Sequence, residues 1–262
     1  MLPNKISATN IELLIRNPYG FYAKNILKLR KLDNIFDNKS LSKFGNFIHK
    51  IIEKYSLEFN ENINNKYQQI LEIGYIIAQE DYLNDTAVNI WWPKFSAIAK
   101  EFVEFDLERR NEGVVVIPEI YGEMLLDFGD KEILITAIAD RLEQKKSGII
   151  HIMDYKTGSL PSKTDLIQGI SVQLLIEAMI AEIGGFPGIK GDVEELVYVK
   201  IASRPPYISS ISINATELNI KEHKRGLIKI LSHYISTEEF KVNNNSKFAP
   251  KYDDYEHLER KE

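Results

Sequence analysis

The residues of this chain best suited to chemistry stand at the ends of two apolar runs. Asp140 closes Ala137-Ile138-Ala139-Asp140-Arg141, and Asp154 and Lys156 close Ile152-Met153-Asp154-Tyr155-Lys156-Thr157-Gly158. On strands, side chains alternate, so Asp154 and Lys156 share a face and Tyr155 points away. Two carboxylates beside a lysine suit a hard cation: Mg²⁺ takes oxygen ligands and keeps waters that a substrate phosphate can replace. Such a cation polarises a phosphoryl oxygen and lowers the pKa of a bound water. The lysine can hold the attacking water or offset charge in the transition state. This is a minimum kit for phosphodiester hydrolysis. An Asp-x-Lys alone is also what surface charges at a strand end look like, so its company decides the reading. Register alone does not set Asp140 beside Asp154; a diagonal approach or sheet curvature has to join them.

A histidine belongs to that company. His49, in Gly45-Asn46-Phe47-Ile48-His49, lies on a helical stretch over residues 40–59. Phe44, Ile48, Ile51, Ile52, Tyr55 and Phe59 recur there at three- and four-residue steps. A histidine on such a helix is ordinarily packed or solvated. His151 competes with it, but lies three residues from Asp154 and so falls on the opposite strand face.

The elements that must position these groups form two textures. The first half reads as helical. Thr9-Asn10-Ile11-Glu12 has a capping-box pattern, and Pro18 stops the helix that it opens. Further helices are expected over residues 65–83 and 92–110, separated by Asn84-Asp85-Thr86 and Trp91-Trp92-Pro93. The β-type runs then begin: Val114–Ile117, Ile133–Ile135 and Ile149–Tyr155, with Gln144–Gly148 as a hairpin loop. A helix over residues 163–183 ends at Gly184-Gly185, which reads as a helix-to-strand turn. Strands over 195–201 and 207–213 and a helix over 216–235 complete the order. This order predicts an α+β fold with a central mixed sheet flanked by helices.

Composition narrows the chemistry. The chain has 262 residues, 44% hydrophobic and 27% charged, as in ordinary globular proteins. It has no cysteine, which excludes disulfides, thiolate zinc sites, a cysteine nucleophile and any iron–sulfur cluster held by this chain. Metal ligands must then be His, Asp or Glu. No run approaches the roughly 18 apolar residues of a membrane span, and Met1–Thr9 lacks a signal-peptide run, so a cytoplasmic protein is expected. No phosphate-loop pattern is present, so this polypeptide carries no motor of that type. The net charge of −5 divides into +5 over residues 1–60 and −10 over the remainder. Lys24, Lys28, Arg30 and Lys31 form either a solvated face or a phosphate-contacting patch. Tyr19, Phe21 and Tyr22 could stack bases, though their spacing also suits a buried face. Trp91-Trp92 reads as a core anchor.

Taken in order, these motifs resemble the RecB-type branch of the PD-(D/E)xK nucleases, and most closely the C-terminal nuclease domain of AddB subunits of AddAB helicase–nucleases. The residues that carry the likeness are Gly45-x-x-x-His49, Ala139–Glu143, Asp154–Gly158 with Pro161-Ser162, and Gln173–Glu177. The opening Ser7–Ala23 and Tyr255-Glu256-His257-Leu258 extend it over nearly the whole chain. The resemblance implies side-chain metal ligands at His49, Asp140 and Asp154, a main-chain carbonyl ligand at Tyr155, and a catalytic lysine at Lys156. It implies that Gln173, of a Gln-x-x-x-Tyr motif, orders the site and meets DNA. Glu177 stands where that motif has tyrosine. Glu119, after Pro118, matches a family position without an assigned role. The family fold implies that strand curvature brings Asp140 beside Asp154.

The resemblance further implies one nuclease domain over residues 1–242, mainly helical over 1–111 and sheet-containing over 112–242, with a polar tail at 243–262. The implied activity is a Mg²⁺-dependent deoxyribonuclease, with Mn²⁺ as substitute, of exonuclease type. It would act on single-stranded DNA or duplex ends in break repair and recombination, beside a helicase partner of AddA type. The alternatives are an idle DNA-binding scaffold and a stand-alone RecB-type nuclease of a mobile element or defence system. The four-cysteine cluster of some AddB-type proteins has no ligands in this chain.

Overall fold

The computed structural model describes residues 2–30, 40–82 and 87–241. Lys31, Asn84-Asp85-Thr86, Tyr255–Leu258 and the polar tail 243–262 lie outside the described residues.

The sheet is built around one long antiparallel hairpin. Strands β2 (Val114–Asp127) and β3 (Glu132–Lys145) pair from Val114↔Lys145 to Asp127↔Glu132. The runs read in the sequence, Val114–Ile117 and Ile133–Ile135, are short parts of these strands. Strand β4 (Ile150–Lys156) comes after the turn that begins at Lys145, where the Gly148 N–H donates to the Lys145 carbonyl at 2.9 Å. It pairs with β3 from Gln144↔Ile150 to Arg141↔Met153. The pairing ends one step short of Asp140 and Asp154, and the 2.8 Å bond from the Tyr155 main-chain N–H to Asp140 Oδ2 draws Asp140 to the end of β4.

Strand β5 (Val193–Ile201) lies parallel to β4, and β6 (Ile208–Asn214) antiparallel to β5. A short strand β1 (Lys5–Ser7), not expected from the sequence, pairs parallel with β3 at Leu134–Thr136. Three residues with one buried side chain give no alternation to detect. Strands β1 and β4 share the β3 edge away from β2, leaving β3 residues 137–140 between them.

Helices cover both faces. On one, α1 (Ala8–Arg16), α7 (Gln173–Glu182), α8 (Ala215–Leu218) and α9 (Ile220–Thr237) enclose a core with Ile11, Leu14, Leu175, Met179, Ile152 and Leu196. On the other, α3 (Ser40–Leu57), α4 (Lys66–Tyr82) and α5 (Ala87–Asn111) pack Phe47, Ile51, Phe95 and Phe102 against Met153, Tyr155 and Val199. The alternation of β4 and β5 supplies both cores at once. Between α1 and α3, α2 (Pro18–Phe21) and a π-helical turn (Tyr22–Ile26) carry the aromatic run; Phe21 is buried and Tyr22 stacks on Phe240 at 5.4 Å. Packing, not base stacking, accounts for these two rings.

Several helix expectations are corrected. The helix over 163–183 is two: α6 (Lys163–Ile167) and α7, parted at Gly169, whose φ is +66°. The helix over 216–235 is α8 and α9, parted at Asn219, where φ is +46°. Trp91-Trp92-Pro93 lies inside α5, and the Ser96 hydroxyl donates to the Trp92 carbonyl at 3.1 Å. Trp91 is a core anchor, buried against Phe44 and Phe47. The capping box at Thr9–Glu12 does not form. Ser7 caps α1, accepting from the Asn10 N–H at 3.3 Å. Glu12 instead reaches across to α7 and accepts from the Val172 N–H at 3.0 Å and the Ser171 hydroxyl at 3.1 Å. A carboxylate against a helix N-terminus is favourable, and here it pins the turn that carries Gln173.

Under the second helical layer lies a buried ionic chain. The Asp106 carboxylate joins Arg141 (2.6 Å) and Arg110 (2.8 Å), and Glu143 joins Arg141 (2.7 Å) and Arg109 (2.6 Å). His151 is in this cluster, 2.8 Å from Arg109 and 2.9 Å from Glu194, on the face away from Asp154. Burial alone would raise the Glu143 pKa, but bonds to His151, Arg141 and Arg109 hold it down at about 2. An unfolded glutamate titrates near about 4.3, so the folded value is depressed. Glu143 thus adds stability above that pH and loses it as pH falls towards 2. We expect Glu143→Gln to be less stable than wild type near neutrality, with a shallower loss of stability below pH 4.3 by about one proton's worth. Urea unfolding across pH 2–7 reads both; parallel curves would contradict the ionic account.

Candidate active site

The hairpin β2–β3 has a local irregularity, and the site forms there. Along β3, Ile133, Ile135, Ala137 and Ala139 face the first core, but so does Leu142; along β2, Ile120, Met124 and Leu126 face it, but so does Ile117. Each strand therefore changes phase between these residues. Pairing passes from Pro118↔Arg141 to Ile120↔Ala139, skipping Glu119 and Asp140. Glu119 has φ +46°, a left-handed value uncommon outside glycine. This is a symmetric bulge: one residue of each strand drops out of the ladder, the register is the same on both sides, and the two side chains are re-aimed. Here it turns Glu119 and Asp140 towards α3 while Arg141 beside them enters the buried ionic chain.

His49 comes to the same place from α3. Its neighbours Phe47, Ile48, Ile51 and Ile52 are buried, which fixes the helix, and His49 itself is partly exposed at the core's rim. His49 Nδ1 lies 3.7 Å from Asp140 Oδ2. Ligating atoms of His49, Glu119 and Asp140 all fall within 4.8 Å of one another. Among the described residues this is the grouping of His and carboxylates that could hold a metal ion. The carboxylate oxygens suit Mg²⁺ or Mn²⁺, and the imidazole nitrogen is better matched to a transition-metal ion such as Mn²⁺ than to Mg²⁺. Burial, and then the carboxylates of Asp140, Glu53 and Asp154, push Glu119 up to about 7. The fold thus holds several acids close together at an electrostatic cost that a cation relieves.

Asp154 lies beside this grouping, outside its three members. It is buried, and its carboxylate is paired with Lys156 Nζ at 2.7 Å. Burial, opposed by Lys156 and helped by Asp140, pushes Asp154 up to about 7. Burial alone would lower the Lys156 pKa, but Asp154 holds it above its ordinary value, so the ammonium stays charged. Lys156 Nζ also donates to Gln173 Oε1 at 3.2 Å. Gln173 opens α7, the helix whose N-terminus Glu12 holds. The Tyr155 side chain points away, as alternation requires, and its ring is buried in the second core. Its main-chain N–H donates to Asp140 Oδ2 at 2.8 Å, bridging the gap on the β3 edge.

The structure therefore gathers His49 and Asp140 as one group and Asp154, Lys156 and Gln173 as a second beside it. Glu119, to which the sequence alone assigns no role, completes the first group. Its signal in the sequence is a carboxylate after proline near the middle of a long β-run, where a bulge is tolerated.

The spacing Gly45-x-x-x-His49 also has a physical cause. A Cβ on Gly45 would stand 2.9 Å from Thr157 Oγ1, just past the end of β4. Gly45 lets α3 close onto the strand end, and His49 sits one turn further along the same helix face. We expect Gly45→Ala to fall short of the ~1 kcal/mol that Gly→Ala ordinarily gains in a helix, because its Cβ must displace the Thr157 hydroxyl. Gly226→Ala on α9, where a Cβ meets open space, should leave stability equal or higher. Thermal unfolding of the two variants reads this; equal melting points would contradict the close approach.

Comparison with known proteins places the chain. The PD-(D/E)XK nuclease superfamily model matches residues 5–252. An uncharacterized protein of Rickettsia bellii (strain RML369-C) is 39% identical over 271 residues, which cover 98% of this chain and 32% of the relative. Another, from Rickettsia felis (strain ATCC VR-1525 / URRWXCal2), is 37% identical over 297 residues, covering 98% and 34%. An ATP-dependent helicase/deoxyribonuclease subunit of Streptococcus pyogenes serotype M1 is 27% identical over 181 residues, covering 66% and 16%. The chain spans about a third of the length of the Rickettsia relatives. Among the described residues no helix is long and apolar enough to cross a membrane. With a match over nearly its full length and acids, histidine and lysine gathered at one bulged hairpin, the chain belongs to the PD-(D/E)XK nuclease superfamily.

Proposed function

We propose that this chain is a divalent-metal-dependent deoxyribonuclease whose working site is the bulge of β2–β3 and the end of β4. The observation that carries the reading is the approach of His49, Glu119 and Asp140 to within 4.8 Å, from three separate elements, beside the Asp154–Lys156 pair. In this reading His49, Glu119 and Asp140 hold the ion, with Asp154 and, by family resemblance, the Tyr155 carbonyl completing its surroundings. Bound there, Mg²⁺ or Mn²⁺ polarises the phosphodiester and lowers the pKa of a water. Lys156 donates hydrogen bonds to the phosphoryl oxygens as they gain charge. Asp154 and Gln173 aim the ammonium.

The Streptococcus relative is named for ATP-dependent helicase and deoxyribonuclease activity, and this supports DNA as substrate and a motor partner of AddA type. End processing by exonuclease action in break repair is what the resemblance to AddB-type nuclease domains implies. A catalytically idle DNA-binding scaffold is the competing reading, and the presence of the Asp154–Lys156 pair counts against it.

Purified protein should degrade linear single-stranded or blunt duplex DNA with Mg²⁺ or Mn²⁺ and not with EDTA, sparing closed circles. Lys156→Met should lower kcat about 100- to 1000-fold, as loss of a charge-stabilising donor does. Cleavage of circles would replace exonuclease with endonuclease action. No cleavage by wild type in either metal, with DNA still bound, would favour the idle scaffold.

A further inference from the structure

Glu177 is the group in this site that the mechanism above does not use. It lies one turn after Gln173 on α7, is fully buried, and feels the carboxylates of Asp154 and Asp140. Gln173 Nε2 donates to Glu177 Oε1 at 3.2 Å. On its other side, Gln173 Oε1 accepts from Lys156 Nζ at 3.2 Å. The second Glu177 oxygen, Oε2, has no hydrogen-bond partner. A buried acid in an apolar helix costs stability unless it is used.

The geometry of an amide shows the use. A glutamine offers an acceptor on one side and a donor on the other, and it can rotate to exchange them. An ammonium is a donor only, so Lys156 needs the oxygen of Gln173 and is repelled by its nitrogen. An acceptor at Glu177 engages the nitrogen and leaves the oxygen facing Lys156. We propose that Glu177 is a positioning residue that acts through Gln173: it fixes which end of the Gln173 amide meets Lys156, and so fixes where the ammonium points. This deepens the nuclease reading and rests on it for its effect on turnover.

The relay accounts for two features together. It gives a reason for a fully buried acid at the place where the related motif carries tyrosine. It also gives Lys156 a second hold besides Asp154, so that the ammonium is directed and does not simply collapse onto one carboxylate. Burial, then Asp154 and Asp140, drive the Glu177 pKa well up, so a neutral side chain with the same acceptor should serve as well.

The test uses Glu177→Leu, Glu177→Gln, Gln173→Ala and the double variant Gln173→Ala/Glu177→Leu. Glu177→Leu should lower kcat about tenfold, the scale for loss of an outer-sphere partner, with KM within about twofold. Glu177→Gln should restore it. On the Gln173→Ala background, Glu177→Leu should add no further loss. Independently of turnover, the side-chain amide of Gln173 should be protected from hydrogen exchange in wild type and Glu177→Gln and lose that protection in Glu177→Leu. Equal losses in Glu177→Leu and Glu177→Gln, full additivity with Gln173→Ala, or unchanged Gln173 protection would each overturn the relay. If wild type cleaves nothing, the nuclease reading fails, and the exchange measurement still decides whether Glu177 holds Gln173.

Discussion

The hydrogen bond from the Tyr155 main-chain N–H to the Asp140 carboxylate, 2.8 Å long, ties the two halves of the site together. On the β3 edge, β1 ends at Thr136 and β4 begins its pairing at Arg141, so residues 137–140 have no strand beside them. A side-chain oxygen stands in for the missing ladder partner. The same bond draws Asp140 against the strand that carries Asp154 and Lys156. The accepting oxygen, Oδ2, also lies 3.7 Å from His49 Nδ1, so one atom joins the strand end to the three-member cluster. Loss of this contact would separate that cluster from the lysine without disturbing either core.

Around that bond the fold sets stability and chemistry on opposite sides of a single bulge. Arg141 and Asp140 are consecutive, yet one is locked in the buried chain with Asp106 and Glu143 and the other faces α3. The buried chain alternates acid and base, so each charge has partners and the segment is rigid. The cluster across the bulge does the reverse: Glu119, Asp140 and Asp154 crowd together, and the protonation of Glu119 and Asp154 is pushed upward. Such concentration of like charge next to a network of opposite charges is the pattern expected of a functional site. Glu12 extends the arrangement, since its hold on the start of α7 fixes Gln173, and Gln173 fixes Lys156.

Periodicity and residue type made part of this legible in the sequence. The alternation around Asp154 placed Lys156 on its face and Tyr155 and His151 off it, and the helical step placed His49 on an amphipathic helix. The sheet flanked by helices came from the order of periods. The hidden part depends on contacts far apart in the chain. The role of Glu12 could not be seen because its partners, Ser171 and Val172, are 159 and 160 residues away. Helix breaks at Gly169 and Asn219 depend on single left-handed residues inside long apolar patterns. Glu119 was hidden because the phase change in β2 has no signature beyond a proline, and β1 because it is so short.

In the proposed function, His49, Glu119 and Asp140 hold a cation next to Asp154 and Lys156. Anomalous diffraction from a crystal of the protein soaked in Mn²⁺ tests it most directly. One strong anomalous peak is expected within coordination distance of all three side chains, with its loss in Glu119→Gln. Density at other residues, or a peak unaffected by that substitution, would contradict it.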